Sequence, residues 1–116
     1  MKYLCQVWLD GKKLDAMPKP EKEALDRDSI AYDRELERTG HLIAAQALQS
    51  PDTAVTIKVR GGTVSRTDGP FVETKEHLGG FVLIEAKNMD EAIRLASGIP
   101  VARFGSIEVR PIYEFG

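Results

Sequence analysis

The sequence predicts an α+β fold in which one antiparallel sheet carries two helices on a single face. The predicted elements follow the order β-α-β-β-β-β-α-β along residues 1–116, a length typical of one domain. If the two consecutive strands in the middle form an inserted β-hairpin, the remaining elements read β-α-β twice. That order is the ferredoxin-like split β-α-β sandwich.

The first half of the chain is predicted to contain a strand, a long helix and a second strand. Residues 2–9 are rich in aromatic and branched side chains and indicate a strand, whereas 10–20 contain a glycine and two prolines and indicate a loop. Residues 41–48 are predicted as a short strand. A helix is predicted over 21–39, because one stripe at helical spacing contains Leu25, Ser29, Tyr32 and Leu36.

The second half begins with the predicted hairpin and ends with a β-α-β unit. Strands over 54–60 and 63–67 flank Gly61-Gly62, a pair that can adopt positive φ in a two-residue turn. Residues 80–85 are nearly all apolar, as expected for a central strand. The spacing of Asn88 and Glu91 predicts a capped helix over 89–97, which buries Ala92, Ile93 and Ala96. The last strand is predicted over 107–113, at an edge because of Pro111.

Composition excludes several classes of protein. The formal charge of −2 argues against a nucleic-acid-binding protein and against an anionic membrane surface as partner. No apolar run approaches the roughly 18 residues needed to span a bilayer. The single cysteine, Cys5, cannot form an internal disulfide and is expected to be a buried apolar residue. These observations predict a cytoplasmic protein.

Apolar side chains on both faces of the predicted sheet indicate a partner. Leu4 and Trp8 share one face of the first strand, whereas Tyr3, Val7 and Leu9 share the other. Two helices cover only one face, so we expect a homodimer in which a second sheet, or the inserted hairpin, covers the other. The alternative is a monomer whose loops 10–20 and 48–53 fold over the sheet.

The segment Asp68 to Phe81 (DGPFVETKEHLGGF) is the best candidate for a functional site. It places five ionisable side chains in ten residues between a predicted turn and a strand. His41 is the first choice for an acid–base group and Asp68 for the carboxylate that orients it, with His77 as the other option for the histidine. The structural alternatives are a helix-capping role for His41 and a turn-forming role for Asp68.

Substrate binding is predicted for four further residues. Arg110 can hold an anionic group, or it can pair with Glu108 or Glu85 instead. Glu73 and Lys75 lie in the charged loop, and Trp8 lies on one apolar face of the first strand. No metal-binding spacing, phosphate-binding loop, dinucleotide fingerprint or serine nucleophile motif is present, so no metal or cofactor is predicted.

The segment DGPFVETKEHLGGF, the helix start MDEAIRLAS and the ending IEVRPI resemble the YCII-related family, in the branch named for its DGPF motif. The resemblance covers nearly the whole chain and implies a ferredoxin-like dimer related to the dimeric α/β-barrel proteins. It also implies a His–Asp pair in a pocket, since such a pair has been proposed as catalytic in the wider family. Asp68, Glu73, Lys75 and Arg110 occupy matching motif positions.

Two functions are compatible with this sequence. The first is a cofactor-independent enzyme of lyase or hydrolase type that acts on a small molecule, since one relative in the wider family is a dehydrochlorinase of a chlorinated hydroxyquinol. The second is a non-catalytic ligand-binding or regulatory module associated with a sigma factor, because proteins of the DGPF branch often accompany extracytoplasmic-function sigma factors.

Overall fold

A computed structural model describes the whole chain, residues 1–116. It contains six strands and three α-helices. The strands are β1 (Lys2–Asp10), β2 (Leu42–Ala47), β3 (Val55–Arg60), β4 (Thr63–Asp68), β5 (Glu76–Glu85) and β6 (Ser106–Pro111). The helices are α1 (Gly11–Asp15), α2 (Lys19–Arg38) and α3 (Met89–Ala96). Short 3-10 turns lie at Pro51–Thr53 and Pro100–Arg103.

Four strands form one antiparallel sheet in the order β2-β5-β1-β6, and β3 pairs only with β4. This order confirms the predicted ferredoxin-like fold with an inserted hairpin. It also confirms that the last strand lies at an edge of the sheet, where the missing amide of Pro111 leaves no gap inside the sheet.

The core lies between the helices and one face of the sheet. Alternate residues of β1 are buried there, and β5 contributes Val82 and Ile84 opposite them. Leu36 of α2 and Leu95 of α3 close the core from the helical side. The buried residues of β1 are Tyr3, Cys5, Val7 and Leu9. The sequence showed two apolar faces on this strand, and the structure assigns the face of Tyr3, Val7 and Leu9 to the core.

Residues 11–15 form a short helix, so the prediction of a continuous loop over 10–20 was wrong. Asp10 is the N-cap, and its carboxylate accepts a hydrogen bond from the Lys12 amide at 2.9 Å. The sequence did not predict this helix because its first residue is Gly11, and glycine is a poor helix former. The helix matters for the site because it holds Gly11 against His77.

Strand β5 begins at Glu76, four residues earlier than the predicted start at residue 80. Glu76 and His77 lie opposite Asp10 and Leu9 of β1, so the strand includes residues that were expected in the charged loop. The register shifts at Gly79, which forms an irregularity between the two halves of the pairing. The sequence did not indicate this strand start, because charged residues such as Glu76 and His77 occur at the end of a strand as readily as in a loop.

Helix α3 begins as predicted, and Ala92 and Ala96 are buried as predicted. The Asn88 side chain accepts from the Glu91 amide at 2.9 Å, and the Glu91 carboxylate accepts from the Lys87 amide at 3.1 Å. Leu95 is buried whereas Ile93 is half exposed, so the prediction that Ile93 enters the core was wrong. The buried face of the helix consists of Ala92, Leu95 and Ala96.

The hairpin β3–β4 projects from the body, and we call it the arm (residues 55–68). Its turn residues Gly61 and Gly62 have φ of 55° and 78°, as the predicted two-residue turn requires. The protein has a radius of gyration of 16.1 Å and extents of 47 × 47 × 19 Å. A compact chain of this length would have a radius of gyration of roughly 13 Å. The arm explains the difference.

The sheet face opposite the helices carries no layer of its own; we call it the open face. It is formed by alternate residues of the four strands and is half buried. The open face includes Leu4, Gln6, Trp8, Phe81, Leu83, Glu108 and Arg110. The homodimer expected from the sequence stays a prediction. No helix of the protein is both long enough and apolar enough to cross a membrane.

Candidate functional site

The larger of two neighbouring cavities lies between the sheet and helices α1 and α2. Its volume is about 670 Å³, a size typical of small-molecule sites. Its apolar wall includes Leu9, Leu14, Leu25 and Ile99, and its polar lining includes Asp15, Lys22, Asp26, Tyr32, Asp33 and His77. An apolar cavity with a few convergent ionisable groups is the usual anatomy of a ligand site.

The second cavity lies at the open face, beside the segment that follows the arm. Its volume is about 650 Å³. Trp8 and Leu78 contribute from the sheet, and Pro70, Phe71 and Thr74 contribute from the segment after β4. The DGPF segment therefore forms part of a cavity wall through its proline and phenylalanine.

His77 lines both cavities. It lies near the start of β5 opposite Leu9, whose buried side chain marks the helix side of the sheet. A β-carbon built at Gly11 would lie 3.1 Å from Cε1 and 3.7 Å from Nδ1 of His77. A side chain at residue 11 would therefore clash with the imidazole of His77, whereas glycine does not.

Three carboxylates and one ammonium give the larger cavity its electrostatic character. Asp26 and Asp33 are seven residues apart on α2, so both lie on the face of the helix that lines the cavity. Burial raises the pKa of Asp33 above its ordinary value of 3.8. Asp15 from α1 is the third carboxylate, and Lys22 is the ammonium. Such a set includes groups that can accept a proton and groups that can donate one.

Tyr32 fixes α2 to α3 at the edge of the same cavity. Its hydroxyl donates to the carbonyl oxygen of Leu95 at 2.5 Å. Burial raises the pKa of the Tyr32 phenol, so the neutral, hydrogen-bonding form is favoured. The residue thus links the core to the cavity wall.

His41 lies away from both cavities. Its Nδ1 is 2.8 Å from the carbonyl oxygen of Glu85, and Nδ1–H donates to that oxygen. Glu85 is the last residue of β5, whereas His77 is the second. Eight residues of extended strand separate the two positions by roughly 26 Å. His41 therefore lies at the opposite end of the sheet from the DGPF segment.

Asp68 is the last residue of β4, and its side chain is 84% exposed. The carboxylate lies 3.5 Å from the guanidinium of Arg66, and neither histidine is hydrogen-bonded to it. The amide of the next residue, Gly69, donates to the carbonyl oxygen of Ala54 at 2.7 Å and closes the base of the arm. The pairing of Asp68 with a histidine stays a prediction.

The four predicted substrate-binding residues do not gather in one place. Trp8 lines the smaller cavity, whereas Arg110 lies on the open face opposite Leu4, at the other end of β1. Arg110 pairs with the Glu108 carboxylate, one of the alternatives that the sequence left open. Glu73 and Lys75 are exposed between β4 and β5 and line neither cavity. Their binding role stays a prediction.

No group of three or more His, Cys, Asp or Glu side chains is arranged to hold a metal ion. Cys5 is fully buried, and burial raises its pKa to about 11. A thiol in that setting is a poor nucleophile at neutral pH. The titratable groups that line the larger cavity are the three carboxylates, Lys22, Tyr32 and His77.

Comparison with known proteins gives the family. The model of the YCII-related domain matches residues 1–116. The chain belongs to the YCII-related family. It is also 36% identical over 114 residues to a protein of Rhizobium meliloti (strain 1021) named "Uncharacterized protein R00369". That match covers 97% of this chain and 92% of the relative. The YCII-related resemblance read from the sequence is thereby confirmed.

Sequence reasoning missed the carboxylates of the larger cavity in this YCII-related protein. Asp26 and Asp33 appeared to be ordinary surface residues of a charged helix, and Asp15 lay in a predicted loop. One signal was present, since the spacing of seven between Asp26 and Asp33 keeps both on one helix face. Only the position of α2 against the sheet shows that this face borders a cavity.

Proposed function

We propose that this YCII-related protein is a cofactor-independent enzyme of lyase or hydrolase type that acts on a small molecule, with His77 as its acid–base group. The observation that carries the proposal is the position of His77, which lines both cavities. The sequence left His41 and His77 as alternatives, and the geometry favours His77, because the His41 Nδ1 is bound to a backbone carbonyl outside the cavities.

The chemistry proposed for the site is proton transfer. An imidazole can take a proton from a bound substrate and return it to a leaving group, and such a group contributes typically 10²–10⁴-fold to a rate. In the larger cavity, burial raises the pKa of Asp33, so this carboxyl group retains its proton to higher pH than an ordinary aspartic acid in water. The apolar wall provides a surface for the substrate body.

The proposal includes a homodimer. The open face exposes Leu4, Trp8, Phe81 and Leu83 in part, although the protomer has no layer to place over them. Burial of apolar surface contributes roughly 25 cal/mol per Å², so a contact between two open faces stabilises the pair. Leu4 and Leu83 are direct cross-strand neighbours and would form the centre of that contact.

The test compares the two histidines of the chain. A pool of small aromatic and aliphatic acids, esters and phenols is incubated with the wild type, with His77→Gln and with His41→Gln, and the pool is followed by NMR and mass spectrometry. We expect conversion of a compound by the wild type and by His41→Gln. With His77→Gln we expect a rate at least 10²-fold lower, while its binding of that compound is retained.

Two results would contradict the proposal. Loss of conversion in His41→Gln with full activity in His77→Gln would place the chemistry at the other end of the sheet. Binding of a compound by the wild type without any conversion would instead support the non-catalytic ligand-binding module. Circular dichroism of each variant, matched to the wild type, shows that a lost activity is not a lost fold.

A further inference from the structure

The arm carries an apolar surface that nothing in its own chain covers. Val55, Ile57 and Val59 alternate along β3 and therefore share one face. Val64 lies directly opposite Val59 on the same face. These four side chains are 47%, 63%, 54% and 64% exposed, in the order Val55, Ile57, Val59, Val64. We call them the arm strip.

The other face of the arm is polar. It consists of Thr56, Lys58, Arg60, Thr63, Ser65 and Thr67. All four apolar side chains of the arm lie on one face, which they share with Arg66 and Asp68, whereas the other face has none. This is the pattern of a ribbon that packs one face on another surface. A two-stranded ribbon without such packing is marginally stable in water. Because the protomer does not cover the arm strip, we expect the strip to pack against the surface of another molecule.

We propose that the arm strip packs against a second copy of this chain. This inference rests on the homodimer proposed above and extends it to a specific contact. In a two-fold dimer each copy carries both an arm and an open face, so one symmetric arrangement covers both surfaces in both copies. A different protein would have to supply a complement for each of them separately.

The size of the arm limits its role in that dimer. A six-residue strand is roughly 20 Å long and a strand pair roughly 10 Å wide, which gives a footprint of about 200 Å². A stable interface buries about 800 Å² on each partner. The arm strip alone is too small, so it extends a contact whose centre is the open face.

Both surfaces carry an ion pair beside their apolar residues. Arg66 and Asp68 lie on the strip's own face, opposite Ile57 and Val55. On the open face Glu108 and Arg110 form a second pair next to apolar residues. Each surface thus presents one cation and one anion beside an apolar strip, so Arg66 can meet Glu108 and Asp68 can meet Arg110 across the dimer.

The test uses two arm variants that introduce the same charge on opposite faces. Ile57→Asp places a carboxylate in the strip, and Thr67→Asp places one on the polar face. Both positions are exposed in the protomer, so both variants should fold, as circular dichroism will check. Sedimentation equilibrium should give a dimer for the wild type and for Thr67→Asp, and a dimer Kd at least tenfold higher for Ile57→Asp.

A third variant, Leu83→Asp, separates the arm contact from the dimer itself. If Leu83→Asp dissociates the dimer but Ile57→Asp leaves its Kd unchanged, the arm contact is refuted and the homodimer stands. If the wild type is a monomer up to about 100 μM, both are refuted, because a stable interface gives a Kd well below that concentration. Equal weakening by Thr67→Asp and Ile57→Asp also refutes the arm contact, since any added charge would then suffice.

Discussion

Gly98 tests the contact between α2 and α3 that borders the larger cavity. A β-carbon built at this residue lies 2.6 Å from Cε1 of Tyr32 and closer still to its Cζ and hydroxyl oxygen. Ordinary van der Waals contacts of a β-carbon begin at 3.4 Å. In Gly98→Ala the tyrosine ring must therefore move by about 1 Å, and its hydroxyl leaves the carbonyl oxygen of Leu95.

The expected magnitude follows from two terms. Overpacking of a well-packed site costs typically 1–3 kcal/mol, and loss of a hydrogen bond costs about 0.5–1.5 kcal/mol. We expect Gly98→Ala to lower the free energy of unfolding by about 2–4 kcal/mol. Without the clash the same change would stabilise the protein by about 0.4–1 kcal/mol, because alanine restricts the unfolded chain more than glycine does. The sign of the effect therefore tests the contact.

Urea unfolding followed by circular dichroism measures both the effect and its cause. Tyr32→Leu removes the Cε1, Cζ and hydroxyl atoms that the new methyl group would meet. In the Tyr32→Leu background, Gly98→Ala should be neutral or stabilising, which gives a coupling energy of at least about 2 kcal/mol in a double-mutant cycle. If Gly98→Ala costs the same in both backgrounds, Tyr32 does not occupy the position described.

Three further predictions concern the site and its supports. Gly11→Ala should displace the His77 ring, whose Cε1 lies 3.1 Å from the added carbon, and should lower turnover by about tenfold without a comparable loss of stability; unchanged turnover would separate His77 from the reaction. The pKa of Asp33 is raised in the folded state, so its ionisation opposes folding above that pKa. Asp33→Asn should therefore raise the free energy of unfolding relative to the wild type at pH 7, and the gain should vanish below the ordinary value of 3.8. A gain that persists at pH 3 in urea titrations would exclude this cause. Asn88→Ala should cost about 1 kcal/mol through loss of the α3 cap, whereas Asn88→Asp should retain most of the stability, and an equal loss in both variants would contradict the capping role.

Local patterns predicted the elements whose signals lie within a few residues. The alternation of β1, the glycine pair of the arm turn and the Asn88–Glu91 cap each depend on neighbours in sequence, and the structure contains all three. The start of β5 was missed because it depends on pairing with β1. The helix at Gly11–Asp15 was missed because glycine is a poor helix former. Ile93 is half exposed although it was predicted to be buried, because the packing of α3 in the folded protein, and not its own pattern, decides which residues face the core.

The sequence by itself determined the ferredoxin-like order of elements, the apolar character of both sheet faces and the family. These properties follow from the spacing of apolar residues and from short motifs, both of which depend only on residues close together in sequence. Only the tertiary structure decided which ionisable groups share a cavity. His77 joins Asp33 there although 43 positions separate them in the printed sequence, whereas His41 lies at the far end of the same sheet. Pairing across strands and the docking of α2 create that neighbourhood, and no local pattern encodes a distance between residues so far apart.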